Sequence, residues 1–284
     1  MHLDCQKQHG SRWVCKNCLT KVKEEAIKLI YDFLIPDFGF LEKDIQVNFS
    51  GNRGYHIHIK REDVLQLDSQ SRREITNYIA GIGLEFGEIF PTAWLRGSKL
   101  RGPRPIDMGW KGKIARNFLS NLNAGVDSLT KMGIERGIAL KLYRSKAKVE
   151  EGIKAEGNWD VVNIPNKSDF WKRVVERQAV SQSDRIDKNV TNDPTHLIRL
   201  PNTIHGGGGL LAKKLRDAQA LYSFEPMRDA IAFKKGDVRI SARTDFELIM
   251  NGQKFGPYVG EINVPMYVGA YLFLKGYAKL LKVI

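Results

Sequence analysis

Phe49-Ser50-Gly51-Asn52-Arg53-Gly54-Tyr55-His56-Ile57-His58 is the stretch on which the reading of this chain turns. On either side of the Ser50–Gly54 segment, 45–49 and 55–59 alternate apolar and polar residues at period two, which predicts a strand, a glycine-rich turn and a second strand. Glycines at 51 and 54 let a backbone approach a ligand closely. Ser50 offers a hydroxyl, Arg53 a forked cation and His56 a ring donor, and with the turn's N–H groups this set suits phosphate. On the second strand His56 and His58 share one face, and Tyr55, Ile57 and Ile59 the other. A plain hairpin turn with a polar solvent face fits the same residues.

A second cluster lies far downstream. Asp184-Arg185-Ile186-Asp187 leads through Val190 to His196-Leu197-Ile198-Arg199-Leu200-Pro201, then His205 and four glycines at 206–209. Asp187 is a carboxylate in a basic setting, followed by an apolar, strand-like run, and a hard divalent ion takes such oxygen ligands. Arg199 and His205 supply positive or donor groups, and the glycines let the chain turn beside phosphates. Equally, Asp187 caps a helix or pairs with Arg185, and the glycines form a loose loop.

Between these clusters the chain reads as helical. Residues 20–35 carry helical spacing with Thr20 as cap, and 69–80 resume it with Ser71 and Glu74 as a capping box. Further helices are expected at about 112–124, 127–146 and 167–180. Arg96, Lys99, Arg101, Arg104, Lys111, Lys113 and Arg116 crowd one span, with Trp94 and Trp110 interleaved and Asp107 as its only acid. Cations mixed with aromatics suit a nucleic-acid backbone and stacked bases; a solvated helix face is the simpler alternative. Beyond 183, strands are expected at 238–242 and 246–250, with Asn251-Gly252 as a hairpin turn, and an apolar helix from Pro265.

All three cysteines sit near the start, as Cys5-x₃-His9-x₅-Cys15-x₂-Cys18. Two thiolates three residues apart can face one ion, and His9 completes a closed tetrahedral set of the structural zinc kind, with His2 as a rival to His9. The alternative is a surface loop with thiols or one disulfide. The chain has 284 residues, 42% of them hydrophobic, enough for a packed core and too many for disorder. Its net charge is +13, from 45 Lys and Arg against 32 Asp and Glu, which favours a polyanionic partner, nucleic acid first; a generally basic, thermophile-like surface is the alternative. No signal peptide is visible, and lysines at 275, 279 and 282 break the most apolar stretch, so a cytoplasmic location with no membrane contact is expected.

Taken together, the two clusters resemble the small, catalytic subunit of the archaeal and eukaryotic-type DNA primases. Ser50-Gly51-x-Arg53-Gly54-x-His56 is similar to the family's phosphate-binding signature, and Asp187-x-x-Val190 with Arg199-x-Pro201 and His205 is similar to its second block. The zinc-knuckle spacing before the first helix agrees in position and type, and the similarity runs over nearly the whole chain. The resemblance implies an α+β fold: a primase-type mixed sheet, a mainly helical insertion at 84–180, a core at 19–83 and 181–284, and a zinc knuckle at 1–18. It implies that Ser50, Gly51, Arg53, His56, Arg199 and His205 hold the triphosphate of the incoming nucleotide. Asp187 would be a catalytic metal-binding aspartate for Mg²⁺ or Mn²⁺, and Cys5, His9, Cys15 and Cys18 would hold structural zinc. Arg96, Lys99, Arg101 and Arg104 would meet nucleic acid.

The implied activity is template-directed synthesis of short primers on single-stranded DNA from nucleoside triphosphates, with a large-subunit partner. One feature departs from the family: its Asp-x-Asp pair ahead of the knuckle has no counterpart in Met1-His2-Leu3-Asp4. This is expected to reflect a missing N-terminal part of the core, through truncation or through a split enzyme completed by a separate N-terminal segment. The rival readings are a non-catalytic, zinc-containing nucleic-acid-binding protein and a repair or translesion polymerase on the same fold.

Overall fold

The computed structural model describes residues 14–93, 99–183, 191–193 and 195–284, the side chains of 179–183 excepted. Cys5, His9, Trp94, Arg96 and Asp187 lie outside the described residues. The chain divides into two compact units, one drawn from Met1–Tyr31, Phe40–Gln66 and Thr195–Ile284, the other from Asp32–Gly39 and Leu67–Pro194. The class is α+β. Every strand pairing among the described residues is antiparallel, in three small sheets, where a mixed sheet is the sequence-based expectation. Short turns join the strands at 45–49 and 55–59, and those at 248–250 and 253–255, and hairpins of that length permit only antiparallel pairing.

Helix α1 (Lys16–Lys28) belongs to the first unit; the π-helical stretch that follows it, Leu29–Leu34, passes into the second at Asp32. The helix starts earlier than expected: Cys15, not Thr20, is the N-cap, in extended conformation, and the Leu19 amide already donates to the Cys15 carbonyl. Strands β1 (Ile45–Phe49) and β2 (Tyr55–Ile59) form the expected hairpin. Ile45, Val47 and Phe49 are buried on one face, where Phe49, Tyr55 and Phe224 form an aromatic cluster. Register puts Gln46 opposite His58 and Asn48 opposite His56 on the other, polar face.

The second unit is helical. Helix α2 (Ser69–Ala80) is capped by Asp68, whose carboxylate accepts from the Ser71 amide at 2.8 Å, rather than by a Ser71–Glu74 box. Then follow α3 (Gly109–Ala124), α4 (Val126–Lys131), α5 (Arg136–Arg144), α6 (Lys146–Glu156) and α7 (Lys167–Ser183). The single helix expected over 127–146 is broken into α4 and α5 because Gly133 adopts φ 86°, outside the helical region. Phe90, Phe118, Trp159 and Trp171 interlock at the core, with Trp159 and Trp171 edge to face at 4.7 Å. Lys113 and Tyr78 both donate to the buried carboxylate of Asp37.

Back in the first unit, β3 (Lys213–Lys214) adds to β1, giving the order β2-β1-β3 and placing Lys214 opposite Asn48. The run before it, 195–203, is irregular rather than strand-like. Strand β4 (Asp237–Thr244) is the centre of a second sheet, between β7 (Tyr258–Pro265) and β8 (Ala278–Val283). The hairpin of β5 (Leu248–Met250) and β6 (Gln253–Phe255) turns at Asn251-Gly252, both with positive φ, as that dipeptide predicts. Helix α8 (Met266–Leu274) lies on the second sheet at Gly269, where any Cβ would meet Val238 at 2.3 Å. The apolar run expected as one helix from Pro265 ends at Gly276, φ 79°, and its remainder is β8. Among the described residues no helix is long and apolar enough to cross a membrane.

Candidate phosphate-binding site

Residues 50–54 form a closed turn. The Ser50 amide donates to the Gly54 carbonyl at 2.9 Å, and the Ser50 hydroxyl oxygen accepts from the amides of Gly54 at 3.1 Å and Asn52 at 3.4 Å. The Ser50 side chain therefore holds the turn's shape, while its O–H remains a donor. Gly51 sits at φ 81°, and a Cβ there would stand 2.8 Å from the Leu210 carbonyl oxygen and 3.0 Å from His205 Cβ. The first sequence cluster is thus packed directly on the second.

That second segment is a tight strap rather than a loose loop. The His205 amide donates to the Leu210 carbonyl, and the Ala212 amide to Thr203, so 203–212 fold back on themselves around the glycines. Gly207 and Gly208 donate their amides to His205 Nδ1 at 3.1 and 2.8 Å. This fixes Nδ1 as acceptor and leaves the ring proton on Nε2. Burial, with Arg199 and Lys275 nearby, pushes the imidazole pKa down, so His205 is a neutral Nε2–H donor.

The end of α8 completes the site. Lys275 is 4% exposed, and its Nζ donates to Asn52 Oδ1 at 3.1 Å while lying 5.7 Å from the Tyr271 ring centre. Burial and the nearby Arg53 guanidinium pull its pKa down to about 8. Tyr271, one turn earlier, packs against Gly209, where a Cβ would stand 2.9 Å from its ring. Burial raises the Tyr271 phenol pKa, and Cys15 and Cys18 lie close enough to push it the same way. On the polar sheet face beside the turn, Asn48 Nδ2 and His58 Nε2 are 3.2 Å apart, and the His56 and His58 rings are 6.4 Å apart. Burial lowers the His58 pKa.

The structure therefore brings together Ser50, Gly51, Arg53 and His205, with Arg199 near the His205 ring and His56 on the strand leaving the turn. Sequence reading missed Asn52, Lys214 and Lys275. Lys275 is more than two hundred residues from the turn, and its only signal was a lysine interrupting an apolar run. Lys99, Arg101 and Arg104 belong to the helical unit. There Arg101 donates to the carbonyl and carboxylate of Glu156, and Arg104 pairs with Asp107 at 3.4 Å.

The donor chemistry can be tested against the implied ions. Cys15 Sγ and Cys18 Sγ are 3.6 Å apart at the start of α1, too far for a disulfide. With Zn–S near 2.3 Å, two thiolates on one tetrahedral zinc stand about 3.8 Å apart, so the pair suits that ion. The described donors around the turn are cations, amides and imidazoles, a set that suits an anion.

The described residues form an α+β protein in which imidazole, amide and cationic side chains converge on a glycine-lined turn. The chain belongs to the DNA primase small subunit family, whose family model matches residues 3–217. It is 33% identical to the DNA primase small subunit PriS of Methanococcoides burtonii over 98% of this chain and 74% of that protein. The PriS of Natronomonas pharaonis is 34% identical over 89% of this chain and 67% of that protein. For the PriS of Methanothrix thermoacetophila the values are 32%, 93% and 71%.

Proposed function

We propose that this chain binds the incoming nucleoside triphosphate during template-directed synthesis of short primers in DNA replication. The observation that carries this reading is the meeting of the 50–54 turn with the His205–Leu210 strap at Gly51. Arg53 and Arg199 supply charge to the phosphates, the neutral His205 donates its Nε2–H, His56 donates a ring N–H, and the Ser50 hydroxyl completes the cradle. Charged donors preorganised in this way hold phosphate oxygens without reorganising as charge develops.

Asp187 is assigned to a divalent ion, Mg²⁺ or Mn²⁺, which would lower the pKa of the attacking 3′-hydroxyl and neutralise the leaving pyrophosphate. Cys5, His9, Cys15 and Cys18 are assigned to structural zinc; the spacing of Cys15 and Cys18 supports this. The core at 19–83 and 181–284, a primase-type sheet, and the insertion at 84–180 belong to the same reading. So do template contacts by Arg96, Lys99, Arg101 and Arg104, and a large-subunit partner. A cytoplasmic place of action follows from the replication role.

The test is primer synthesis on a poly-pyrimidine single strand with Mg²⁺ or Mn²⁺. The chain is assayed alone, and then with a polypeptide bearing the family's Asp-x-Asp pair. Primers in either mixture, lost in Arg53→Ala, support the proposal. Triphosphate binding without primers in both favours a non-catalytic accessory role. A chain that binds no triphosphate overturns the reading.

A further inference from the structure

The end of α8 touches both halves of the phosphate site at once. Tyr271 packs on Gly209 of the strap, and Lys275 reaches Asn52 of the turn. The backbone presenting Lys275 is itself fixed: its amide donates to Tyr271, and the Gly276 and Tyr277 amides donate to Phe273 and Leu272, which closes the helix end. An ammonium at 4% exposure carries a desolvation cost that a paired carboxylate would ordinarily offset. Among the described residues no carboxylate pairs with it. It meets one amide oxygen instead, with the Arg53 cation nearby. Burial first, and then the Arg53 guanidinium, pulls its pKa down. A methionine of similar length would fill this space without that cost, so packing alone does not account for a lysine here.

We propose that Lys275 is a positioning residue for the triphosphate: by holding Asn52 it sets the 50–54 turn, and with it Arg53, against the His205–Leu210 strap. This inference rests on the reading of the site as a triphosphate cradle.

The experiment titrates the full chain, by calorimetry, with ATP, adenosine and inorganic triphosphate, and repeats this for Lys275→Met, Asn52→Ala and Arg53→Ala. Lys275→Met is expected to bind ATP and inorganic triphosphate about tenfold more weakly. Its affinity for adenosine should be unchanged and its melting temperature no lower. Asn52→Ala removes the acceptor from the other side and is expected to give the same selective loss, which keeps the test decisive should Lys275→Met fail to fold. Unaltered triphosphate affinity in either folded variant, with Arg53→Ala weakened, overturns the role of Lys275 alone. If the unmodified chain binds neither ATP nor inorganic triphosphate, the cradle reading falls and this inference with it. An equal loss for adenosine and ATP would mean general damage to the site and also counts against it.

Discussion

A Cβ added to Gly208 would stand 2.2 Å from the carbonyl oxygen of Gly51, so the strap and the turn touch backbone to backbone. Any side chain at 208 must push the two apart. Gly208→Ala is expected to cost about 1–3 kcal/mol of stability, within the range for overpacked positions, and to weaken triphosphate binding with it. Gly206, two residues earlier, has open space at its Cβ position and no positive φ. Gly206→Ala should therefore resemble the unmodified chain in melting temperature and in nucleotide titration. Indistinguishable behaviour of the two variants would show that close approach at Gly208 does not matter.

His205 should titrate abnormally. Its Nδ1 accepts from two amides, and protonation there would set a donor against donors. A folded-state pKa below the usual value of about 6.5 means that the unfolded chain binds the proton more readily. Stability contributed by this ring is therefore present above about pH 6.5 and is lost as pH falls through the folded value. His58 is depressed too and acts in the same direction, so the assignment needs residue-specific NMR. The His205 ring signals should move at lower pH than those of a free imidazole, and triphosphate should raise that midpoint. A midpoint at or above the ordinary one would contradict the Nδ1-acceptor geometry.

Much of this was legible in the sequence where the signal is local. Strands 45–49 and 55–59 emerge with the expected bounds because alternation and a glycine-rich turn act over a few residues. The Asn251-Gly252 hairpin emerges for the same reason. Strand β8 was hidden because Lys279-Leu280-Leu281-Lys282 does not alternate, and its apolar content continues that of α8. Thr20 and Ser71 are sound cap residues in isolation, but Cys15 and Asp68 fill those positions. In the sequence Ser50 reads as a ligand group, whereas its oxygen first closes the turn on itself. Lys275 had no local signature, because its meaning comes only from the helix end that brings it to Asn52.

The cysteine pair allows a test that is independent of catalysis. Cys15 is the N-cap of α1, and Cys18 lies in its first turn with the sulfurs 3.6 Å apart. If both face one zinc ion, Cys15→Ser should lower zinc content measured by atomic absorption, from about one ion per chain to a small fraction of that. Zinc-site folding energy should go with it, so hydrogen exchange should quicken in the first turns of α1. Full zinc content in the variant would remove Cys15 from the ligand set.

Lys275 also makes a prediction about stability against pH, with a sign opposite to that of an ordinary ion pair. Its pKa falls from the usual value near 10.5 to about 8 on folding. Between those values the unfolded chain holds more protons, so stability attributable to this residue rises with pH. Below about pH 8 the folded protein bears the whole cost of the buried charge, on the order of 3 kcal/mol. Part-buried phenols act the other way at higher pH: Tyr31 is pushed up to about 12 by desolvation and by Glu42, and Tyr78 is raised by desolvation and Asp37. The observable is therefore a difference. Lys275→Met should be more stable than the unmodified chain in denaturant titrations at pH 7, and the gap should narrow steadily toward pH 10. A gap that stays constant across that interval would mean that the ammonium keeps an ordinary pKa. The charge held beside Asn52 would then be better compensated than its hydrogen bond indicates.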